Sequence, residues 1–588
     1  MRRRRFLAAG LSLAGATVLH VPPARTAAAL TRVRPGMPGW PTEAEWEGLK
    51  EAVDGRWSPV ALPDFKDPAV RKLLSDPFYI GDQPGLTQNS GWLDAWRSSP
   101  SAYVVAAETA ADVAAAIRFA RAHNLRLVVK GGSHSFLGTS NAPDSLLVWT
   151  RRMNAVTVHD GFTPQGSEAA PVPAVSAGAG CIWLHLYQAV IGGAGRYVQG
   201  GGCTTVGVPG LVQGGGFGSY SKAYGTAAAS LLEAEIVTAD GETRIVNKAR
   251  EPDLFWALKG GGGGTFGVVT RVTLATHELP RTFGALHADL RARSDEAYRR
   301  LLARFIDFYA TSLWNPHWGE RATARPDNLL QIQMVFQDLT QDEARAVWQP
   351  LIDFLGANSG DYEGLDTLFV GALPARYLWD AELRRYSAPS SVVFDSRPGA
   401  APTDFWWTGD AALVGAFWYA FTSAWLPATL LKRQNQAPLV DALFAASRHC
   451  GIELAFNKGL AGAPAAAIEA TRNTAMNPGV LDAFALAIIA DFGAPVFPGF
   501  PAPDQATADA RRSRAQAAMA ALRAAAPETG TYVNECDYFQ ADWQKAFWGP
   551  NYPRLLQIKR RYDPDGIFFG HHDVGSEDWS EDGFTRLR

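Results

Sequence analysis

The chain has 588 residues, of which 47% are hydrophobic and 19% are charged, with a formal net charge of −3. This length allows two or more hydrophobic cores, and the composition is that of a folded globular protein. The small net charge, with scattered lysines and arginines, excludes electrostatic steering of nucleic acid. The four cysteines, at positions 181, 203, 450 and 536, are too few for a disulfide framework. They also lack the spacing of a zinc site, so no metal site is predicted.

Residues 1–29 have the features of an export signal. Arginines at positions 3–5 precede an apolar stretch over residues 6–21, and small residues at 27–29 suit a cleavage site. The stretch is too short and too rich in glycine to remain as a stable membrane anchor. The paired arginines favour the twin-arginine route, used by proteins exported already folded, over an ordinary secretory signal. The sequence therefore predicts a periplasmic or extracellular protein.

Residues 30–97 are rich in proline, glycine and tryptophan and are predicted to be an irregular lead-in. From residue 98 to about 280 the pattern alternates between strands and helices. The clearest helix is predicted over residues 109–123, where Thr109 and Asp112 form a capping pattern before helically spaced apolar residues. Strands are predicted at 101–105, 125–129, 146–149, 174–177, 231–238 and 243–246, and a second helix at 182–190.

The character of the chain changes near residue 280. Residues 281–525 predict a second domain in which helices cover a sheet. Its helices are predicted at 294–309, 342–355, 437–449 and 507–525, and its strands at 330–336 and 452–456. The aromatic segments at 405–407 and 417–419 are interpreted as core, with stacking on a sugar or aromatic ring as the alternative.

Two glycine-rich segments contain the residues of greatest chemical interest. Residues 130–136 follow a predicted strand and contain His134, whereas residues 200–218 contain Cys203. Backbone N–H groups in a glycine-rich turn after a strand form a cradle for an anion. Taken alone, His134 could equally cap a surface turn, and Cys203 could be a small buried thiol.

Four segments occur together in this order: residues 130–136, 200–218, 253–273 and 551–564. In this combination the chain resembles the vanillyl-alcohol-oxidase-type flavin oxidases, specifically the berberine-bridge-enzyme-like branch. The ending at residues 568–577 is similar to a subgroup that contains small-alcohol oxidases, which is a weaker match.

The resemblance implies an α+β fold. Residues 98–280 are expected to form a PCMH-type FAD-binding domain of two α+β subdomains. Residues 281–525 are expected to form an inserted substrate domain of antiparallel sheet covered by helices. Residues 526–588, the berberine-bridge-like C-terminal segment, are expected to return and complete the flavin site.

The resemblance also implies FAD attached at two points, through His134 to the 8α carbon of the flavin ring and through Cys203 to carbon 6. A histidyl substituent withdraws electron density and should raise the redox potential. Two positions depart from the family, since Thr204 stands where proline is usual and Leu211 where histidine is common. The implied cofactor-binding residues are Gly131, Gly132, Ser133, His134, Ser135, Cys203, Thr204, Val206, Gly207, Gly215, Gly216, Gly218, Val268 and Val269.

Oxidation of an alcohol requires a base that takes the hydroxyl proton while hydride leaves for the flavin. Tyr552 matches a position that faces the active site in relatives, and packing is its alternative role. Lys130 and His572 are predicted helpers that could lower its pKa. The adjacent histidines His571 and His572 could also suggest a metal, but neighbours on a strand point to opposite faces.

These features predict an FAD-dependent oxidase that removes hydride from an alcohol-type substrate and reduces O2 to H2O2. Val206 supports this, because valine at the matching position in relatives is associated with oxygen access, although it could also be an ordinary core residue. The alternatives are a flavin dehydrogenase with another acceptor and a non-catalytic protein on a flavin fold. The expected partners are O2 and a small molecule: a small alcohol, a carbohydrate or a secondary metabolite. The oligomeric state stays open.

Overall fold

The computed structural model describes residues 30–588, so the predicted export signal lies outside the described residues and stays a prediction. Within the described part of the chain, no helix has both the length and the apolar character needed to cross a bilayer. These residues form three larger β-sheets and two ribbons of two strands each.

The first sheet has four strands, one of which leads directly into the glycine segment that contains His134. In sheet order these strands are Trp57–Pro59, Tyr103–Ala106, Ser145–Trp149 and Arg126–Lys130. The crossover helix Ala110–Ala122 shares a core with this sheet. The Thr109 hydroxyl accepts the Asp112 N–H, and the Asp112 carboxylate accepts the Thr109 N–H. This confirms the predicted capping box.

The second sheet has five strands, all antiparallel. In sheet order they are Thr243–Asn247, Leu231–Val237, Val268–Ala275, Val172–Gly178 and Val156–Phe162. The helix Trp183–Tyr187 continues as a π-helical turn over Gln188–Gly193, in place of the single helix predicted at 182–190. Trp183 is fully buried in the core that this helix shares with the sheet. The two sheets are the two α+β subdomains that the sequence predicted.

The third sheet has ten strands and forms the centre of the substrate domain. In sheet order they are Tyr362–Glu363, Thr282–Ala292, Leu329–Gln337, Trp318–Ala324, Ile452–Ala455, Ala483–Gly493, Ala416–Pro427, Asn89–Trp92 and Trp96–Arg97, with Phe369–Pro374 paired to Thr282–Ala292. One face packs against the helices Asp295–Phe308, Gln341–Ala357, Arg433–Ser447 and Gln505–Arg523. Along Leu329–Gln337, Ile332 and Phe336 are buried in that core, whereas Gln331 and Gln333 face a cavity on the other side. The alternation of side chains along a strand thus separates core from cavity.

The prediction that residues 30–97 form an irregular lead-in was wrong. They contain the helices Glu43–Ala52, Pro68–Leu73 and Pro77–Gly81. Trp57–Pro59 adds an edge strand to the first sheet, and Asn89–Trp92 pairs in parallel with Ala416–Pro427 of the third. Sheet edges carry unpaired N–H and C=O groups, which short strands can satisfy without any clear hydrophobic periodicity in the sequence.

The aromatic segments of the substrate domain are mainly core, as predicted. Phe405, Trp406, Phe417 and Trp418 are all buried. Trp407 is half-buried and donates its indole N–H to the Gly202 carbonyl.

Shorter elements complete the described chain. Its remaining helices are Val208–Gln213, Ser221–Tyr224, Pro252–Ala257, Ala381–Ser387, Ala465–Arg472, Gly479–Asp482, Trp543–Trp548 and Tyr552–Tyr562. Its two ribbons pair Arg196–Tyr197 with His277–Glu278 and Val392–Phe394 with Phe405–Trp407.

The C-terminal segment returns to the first two sheets. Phe568 forms a bridge with Leu127 of the first sheet. The Lys559 ammonium donates to the Asp563 carboxylate and to the carbonyls of Thr265 and Phe568, each at 2.7 Å. Removing one partner of a buried ion pair costs about 3–5 kcal/mol. The pair fixes the Lys559 ammonium, whose hydrogen bond to the Thr265 carbonyl links the segment to the chain that follows the glycine run at 260–264.

Candidate functional site

A cavity of about 1960 Å³ lies between the two smaller sheets and the third sheet. Sites for one small molecule usually measure about 300–1,000 Å³, so this cavity has room for a large cofactor beside a substrate. One wall is formed by the glycine-rich segments. The opposite wall is formed by the third sheet and by residues between 378 and 414.

Most of the predicted cofactor-binding residues line this cavity. They are Gly131, Gly132, Ser133, His134, Ser135, Cys203, Thr204, Val206, Gly207, Gly218 and Val269. The two glycine segments, about 70 residues apart in sequence, therefore meet at one site.

Three predicted residues do not line the cavity. Gly215 and Gly216 have φ values of +107° and +74° and form a turn whose carbonyls accept the N–H groups of Ala228 and Ala227. Val268 is buried in the core on the face of its strand opposite to Val269, because neighbouring side chains on a strand alternate. These three support the site without lining it.

Glycine at positions 132 and 207 allows the two segments to cross with their backbones in contact. A Cβ atom on Gly132 would lie 2.4 Å from the Gly207 nitrogen, and one on Gly207 would lie 2.9 Å from the Gly132 nitrogen. The next residue, Ser133, has a φ of +60°, which is uncommon for a residue with a side chain. This tight turn directs His134 into the cavity.

The His134 imidazole is held in its neutral form. Its Nε2 atom lies 3.1 Å from the Thr205 hydroxyl. Burial lowers the pKa of His134 to about 4, and the positive charge of Arg151 contributes to that shift. Because only a neutral imidazole has a free lone pair, His134 can act as a nucleophile at neutral pH.

The pKa of the Cys203 thiol shifts upward, whereas that of His134 shifts downward. Burial raises the pKa of Cys203 well above the usual value, and the neighbouring carboxyl group of Asp410 raises it further. Burial also raises the pKa of Asp410, against the effects of the Cys203 thiol and the Arg321 charge. Cys203 and Asp410 therefore lie close enough to influence each other's protonation.

The wall opposite the glycine segments carries charged side chains that the sequence analysis did not identify. They are Glu320, Arg321, Asp410, Glu453, Lys458 and Glu535. Arg321 pairs with Glu453 at 3.4 Å, and Lys458 pairs with Glu535 at 2.6 Å.

The sequence contained a pattern from which one of these charged residues, Arg321, could have been identified. Over residues 321–324, polar Arg321 and Thr323 alternate with buried Ala322 and Ala324. Such alternation is typical of a strand with one face in the core and the other exposed. The remaining members lie in distant segments and form no local motif.

Tyr552, the predicted base, does not line the cavity. It begins the helix Tyr552–Tyr562, and its ring packs against Trp543 and Trp548. Its hydroxyl donates to the Glu577 carboxylate. Burial and that hydrogen bond raise the pKa of Tyr552, whereas a base would need a lower one. Tyr552 thus has the packing role that was its alternative.

Lys130, a predicted helper, also points away from the cavity. Its ammonium donates to the carbonyls of Gln83, Pro84 and Leu86. Its neighbour on the strand, Val129, faces the cavity, so alternation sends Lys130 to the other side. Burial lowers the pKa of Lys130 to about 7, but the side chain anchors a loop and lies apart from the site.

His572, the other predicted helper, is equally outside the cavity wall. The chain makes a turn here rather than a strand, with a φ of +59° at His572. The expectation that His571 and His572 point to opposite faces was therefore wrong, and their ring centroids are 3.9 Å apart. His571 stacks on Tyr538 and His572 on Trp543. Burial lowers the pKa of His572 to about 3.

The glycine wall has the features of a site for a large, flat, anionic ligand. The side-chain oxygens of Ser133, Thr204 and Gln213 are buried, and no other described residue forms a hydrogen bond with them. A Cβ atom on Gly202 or Gly210 would meet nothing within 4 Å, so bare backbone borders open space there. Exposed backbone N–H groups and unpaired hydroxyls suit a diphosphate, and the remaining space suits a ring system.

Comparisons with known proteins agree with this geometry. A family described as "FAD binding domain" matches residues 100–247, and one described as "Berberine and berberine like" matches residues 531–574. The chain is 30% identical to the FAD-linked oxidoreductase easE of Arthroderma otae, covering 94% of this chain and 91% of that protein. It is 29% identical to the VAO-type flavoprotein oxidase VAO615 of Thermothelomyces thermophilus, covering 99% and 98%.

Solved structures give the same result. The VAO-type flavoprotein MtVAO615 from Myceliophthora thermophila C1 has a TM-score of 0.76 at 25% identity, covering 94% of this chain and 98% of that one. A glucooligosaccharide oxidase from Acremonium strictum, described as containing 6-S-cysteinyl, 8α-N1-histidyl FAD, has a TM-score of 0.62 at 20% identity, covering 83% and 94%.

The fold and the glycine-walled cavity define an FAD-linked oxidoreductase. The chain belongs to the berberine-bridge-enzyme-like branch of the vanillyl-alcohol-oxidase, or PCMH-type, flavoproteins. This confirms the resemblance and the predicted α+β fold.

We expect Gly132→Ala to remove most of the bound FAD, because its Cβ atom would force the crossing backbones of residues 132 and 207 apart. The ratio of flavin to protein absorbance in the purified protein measures this. Gly192→Ala is the matched control, since a Cβ atom there meets nothing within 4 Å. Full FAD content in Gly132→Ala would mean that the backbone contact is not needed.

Proposed function

We propose that the protein is an oxidase whose FAD is bound covalently through both His134 and Cys203. It oxidises a carbon that bears a hydroxyl group in a small molecule and reduces O2 to H2O2. The observation that carries the proposal is that His134 and Cys203, from separate glycine segments, line one cavity opposite a polar wall. The two attachments described for the Acremonium strictum oxidase, and the names of oxidases among the relatives, support it.

The two walls of the cavity have different proposed roles, one in binding the cofactor and the other in binding the substrate. The backbone N–H groups of the glycine segments, with the hydroxyls of Ser133 and Thr204, hold the diphosphate. His134 and Cys203 fix the ring, and the third sheet binds the substrate. When bound, FAD supplies the hydride acceptor that no protein side chain can provide.

Asp410 takes the place of Tyr552 as the proposed proton acceptor. Its carboxyl group lines the cavity beside Cys203. Burial raises the pKa of Asp410 from its usual value, and a raised pKa makes a carboxylate a stronger base. The carboxylate would accept the proton of the substrate hydroxyl.

Covalent attachment is tested by acid precipitation of the purified protein. We expect yellow colour to stay in the washed pellet of the wild type and of each single variant, His134→Ala and Cys203→Ala. The double variant should release all its colour, because no bond remains. Mass spectrometry of flavin-bearing peptides would identify both residues. Release of all colour from the wild type would contradict the proposal.

A flavin dehydrogenase with another acceptor is the second candidate. An oxidase, reduced without oxygen and then mixed with air-saturated buffer in a stopped-flow instrument, should regain its flavin absorbance within seconds. Val206 lines the cavity, so we expect Val206→Phe to slow this recovery by narrowing the space. Recovery that needs an added quinone would favour the dehydrogenase instead.

We expect Asp410→Asn to lower kcat/KM by about 10²–10⁴-fold, the usual contribution of a general base. In the wild type, activity should fall as the pH drops through the raised pKa of Asp410, because protonation removes the base. The variant should lose this acid limb of the pH profile. Glu382→Gln, an exposed change in the same part of the substrate domain, is the control. An unchanged acid limb in Asp410→Asn would exclude this role.

Export through the twin-arginine route is proposed from residues 3–5, with the mature protein in the periplasm or medium. Cell fractionation tests it, and a protein confined to the cytoplasm would count against it.

A further inference from the structure

We infer that the cavity contains a subsite for a carboxylate group of the substrate, built around the guanidinium group of Arg384. This inference rests on the proposed function and deepens it, because it narrows the substrate from any hydroxyl compound to one that also carries a carboxylate. The hydroxyl group would lie at the flavin, and the carboxylate would bind at a distance from it on the opposite wall.

The free edge of the Arg384 guanidinium is the first argument. Arg384 lines the cavity, and its Nε atom donates to the Leu378 carbonyl at 2.8 Å. Its Nη2 atom is buried, yet no described residue accepts a hydrogen bond from it. No carboxylate among residues 30–588 lies within 4.0 Å of the guanidinium nitrogens. Buried polar groups normally find a partner, and buried charges normally find an opposite charge, so this free edge indicates a ligand.

The electrostatics of Arg384 agree with an anionic ligand. Burial lowers the pKa of Arg384, and the negative charge of Asp380 opposes that shift. The Asp380 carboxylate is itself engaged, because it accepts the Leu383 N–H at 2.8 Å as the cap of the helix. A guanidinium stays charged in proteins, so its burial without an ion pair is costly. An anion in the cavity would remove that cost as well as accept hydrogen bonds.

The helix Ala381–Ser387 sets the direction of the Arg384 side chain. Ser387 and Ala388 follow Arg384 at spacings of three and four residues, and both also line the cavity. Residues at these spacings share one face of a helix. Ser387 therefore adds a hydroxyl donor beside the guanidinium, and the subsite combines a cation with a neutral donor.

Trp407 connects this subsite to the cofactor wall. The guanidinium carbon of Arg384 lies 5.4 Å from the ring centroid of Trp407, which is within the range of a cation–π interaction. The indole N–H of Trp407 donates to the Gly202 carbonyl at 2.9 Å, next to Cys203. The same indole thus contacts both Arg384 and the second glycine segment. Trp379, whose ring centroid lies 5.3 Å from that of Trp407, also lines the cavity and can pack against an aromatic substrate.

The acidic side chains of the cavity do not neutralise Arg384. Glu320 and Asp410 raise the pKa of the Cys203 thiol, but neither is among the groups that shift the pKa of Arg384. Glu320 instead accepts a hydrogen bond from the Ser219 hydroxyl. The wall therefore has an acidic part beside Cys203 and a basic part at Arg384. A substrate could place its hydroxyl at the first and a carboxylate at the second.

The geometry of the guanidinium favours a carboxylate over other groups. Because Leu378 engages Nε, the edge formed by Nη1 and Nη2 remains for a ligand. A planar carboxylate accepts two parallel hydrogen bonds from such an edge. A phosphate monoester carries close to two negative charges, of which a single guanidinium compensates one. An ammonium group would be repelled.

Two probes of the same shape test the inference on the FAD-loaded protein. At pH 7, 4-(hydroxymethyl)benzoate carries a carboxylate where 4-(hydroxymethyl)benzamide carries a neutral amide. Isothermal titration calorimetry should give a Kd for the benzoate at least about tenfold lower than for the benzamide, as expected for hydrogen bonds to a charged group. Arg384→Met, which keeps an apolar stem, should raise the Kd of the benzoate by about the same factor and change that of the benzamide less than about twofold.

Three further measurements keep the result clear. The thermal midpoint and the flavin content of Arg384→Met verify its fold. Arg384→Lys should retain part of the preference, because it keeps the charge but loses the paired N–H groups. Arg376→Met removes the same charge from an exposed side chain outside the cavity lining, and it should leave both Kd values unchanged.

Equal affinity for both probes, no measurable binding of the benzoate, or an unchanged preference in Arg384→Met would overturn the inference. Loss of covalent flavin or of H2O2 production in the wild type would contradict the proposed function instead. The two can therefore fail separately, since calorimetry measures binding and does not require turnover.

Discussion

The functional site depends on contacts between bare backbones. Gly132 meets Gly207, Gly218 meets the Gly200 carbonyl, and the chain at Gly319 meets the Ser219 carbonyl, all at distances that leave no room for a Cβ atom. The contact between Gly218 and Gly200 closes the second glycine segment on itself, whereas the other two join elements far apart in sequence. Together they bring both glycine segments and the third sheet to one cavity. Side-chain packing cannot do this, because it would separate the walls by the thickness of a side chain.

Exclusion of water then gives the two proposed attachment residues different chemistry. Burial makes the His134 imidazole neutral, which leaves it nucleophilic. Burial also favours the protonated form of the Cys203 thiol, although the thiolate is the reactive form. A bond from Cys203 to the ring therefore needs a nearby group to accept its proton, and Asp410 is adjacent. The same carboxyl group could serve first in attachment and later in turnover.

Local rules predicted the local structure well. The capping pattern of Thr109 and Asp112 predicted a helix start, and the glycine segments predicted where the cavity would be. The direction of individual side chains was harder. Lys130 and Val129 are neighbours, as are Val268 and Val269, and only one of each pair faces the cavity. A motif contains both residues and does not indicate which of them points inward. The motif around Tyr552 likewise does not indicate the direction of its ring, which packs beside the start of its helix and does not line the cavity.

The polar wall was missed because it has no sequence motif. Glu320, Asp410, Lys458 and Glu535 come from segments more than 200 residues apart at the extremes, and only the folded chain brings them together. A net charge of −3 over 588 residues likewise carries no information about them. The charge that a ligand encounters is the local charge of the cavity wall. That charge depends on which acidic side chains are already paired with a basic one. Because Arg321 and Lys458 are paired with Glu453 and Glu535, these four charges compensate one another within the wall.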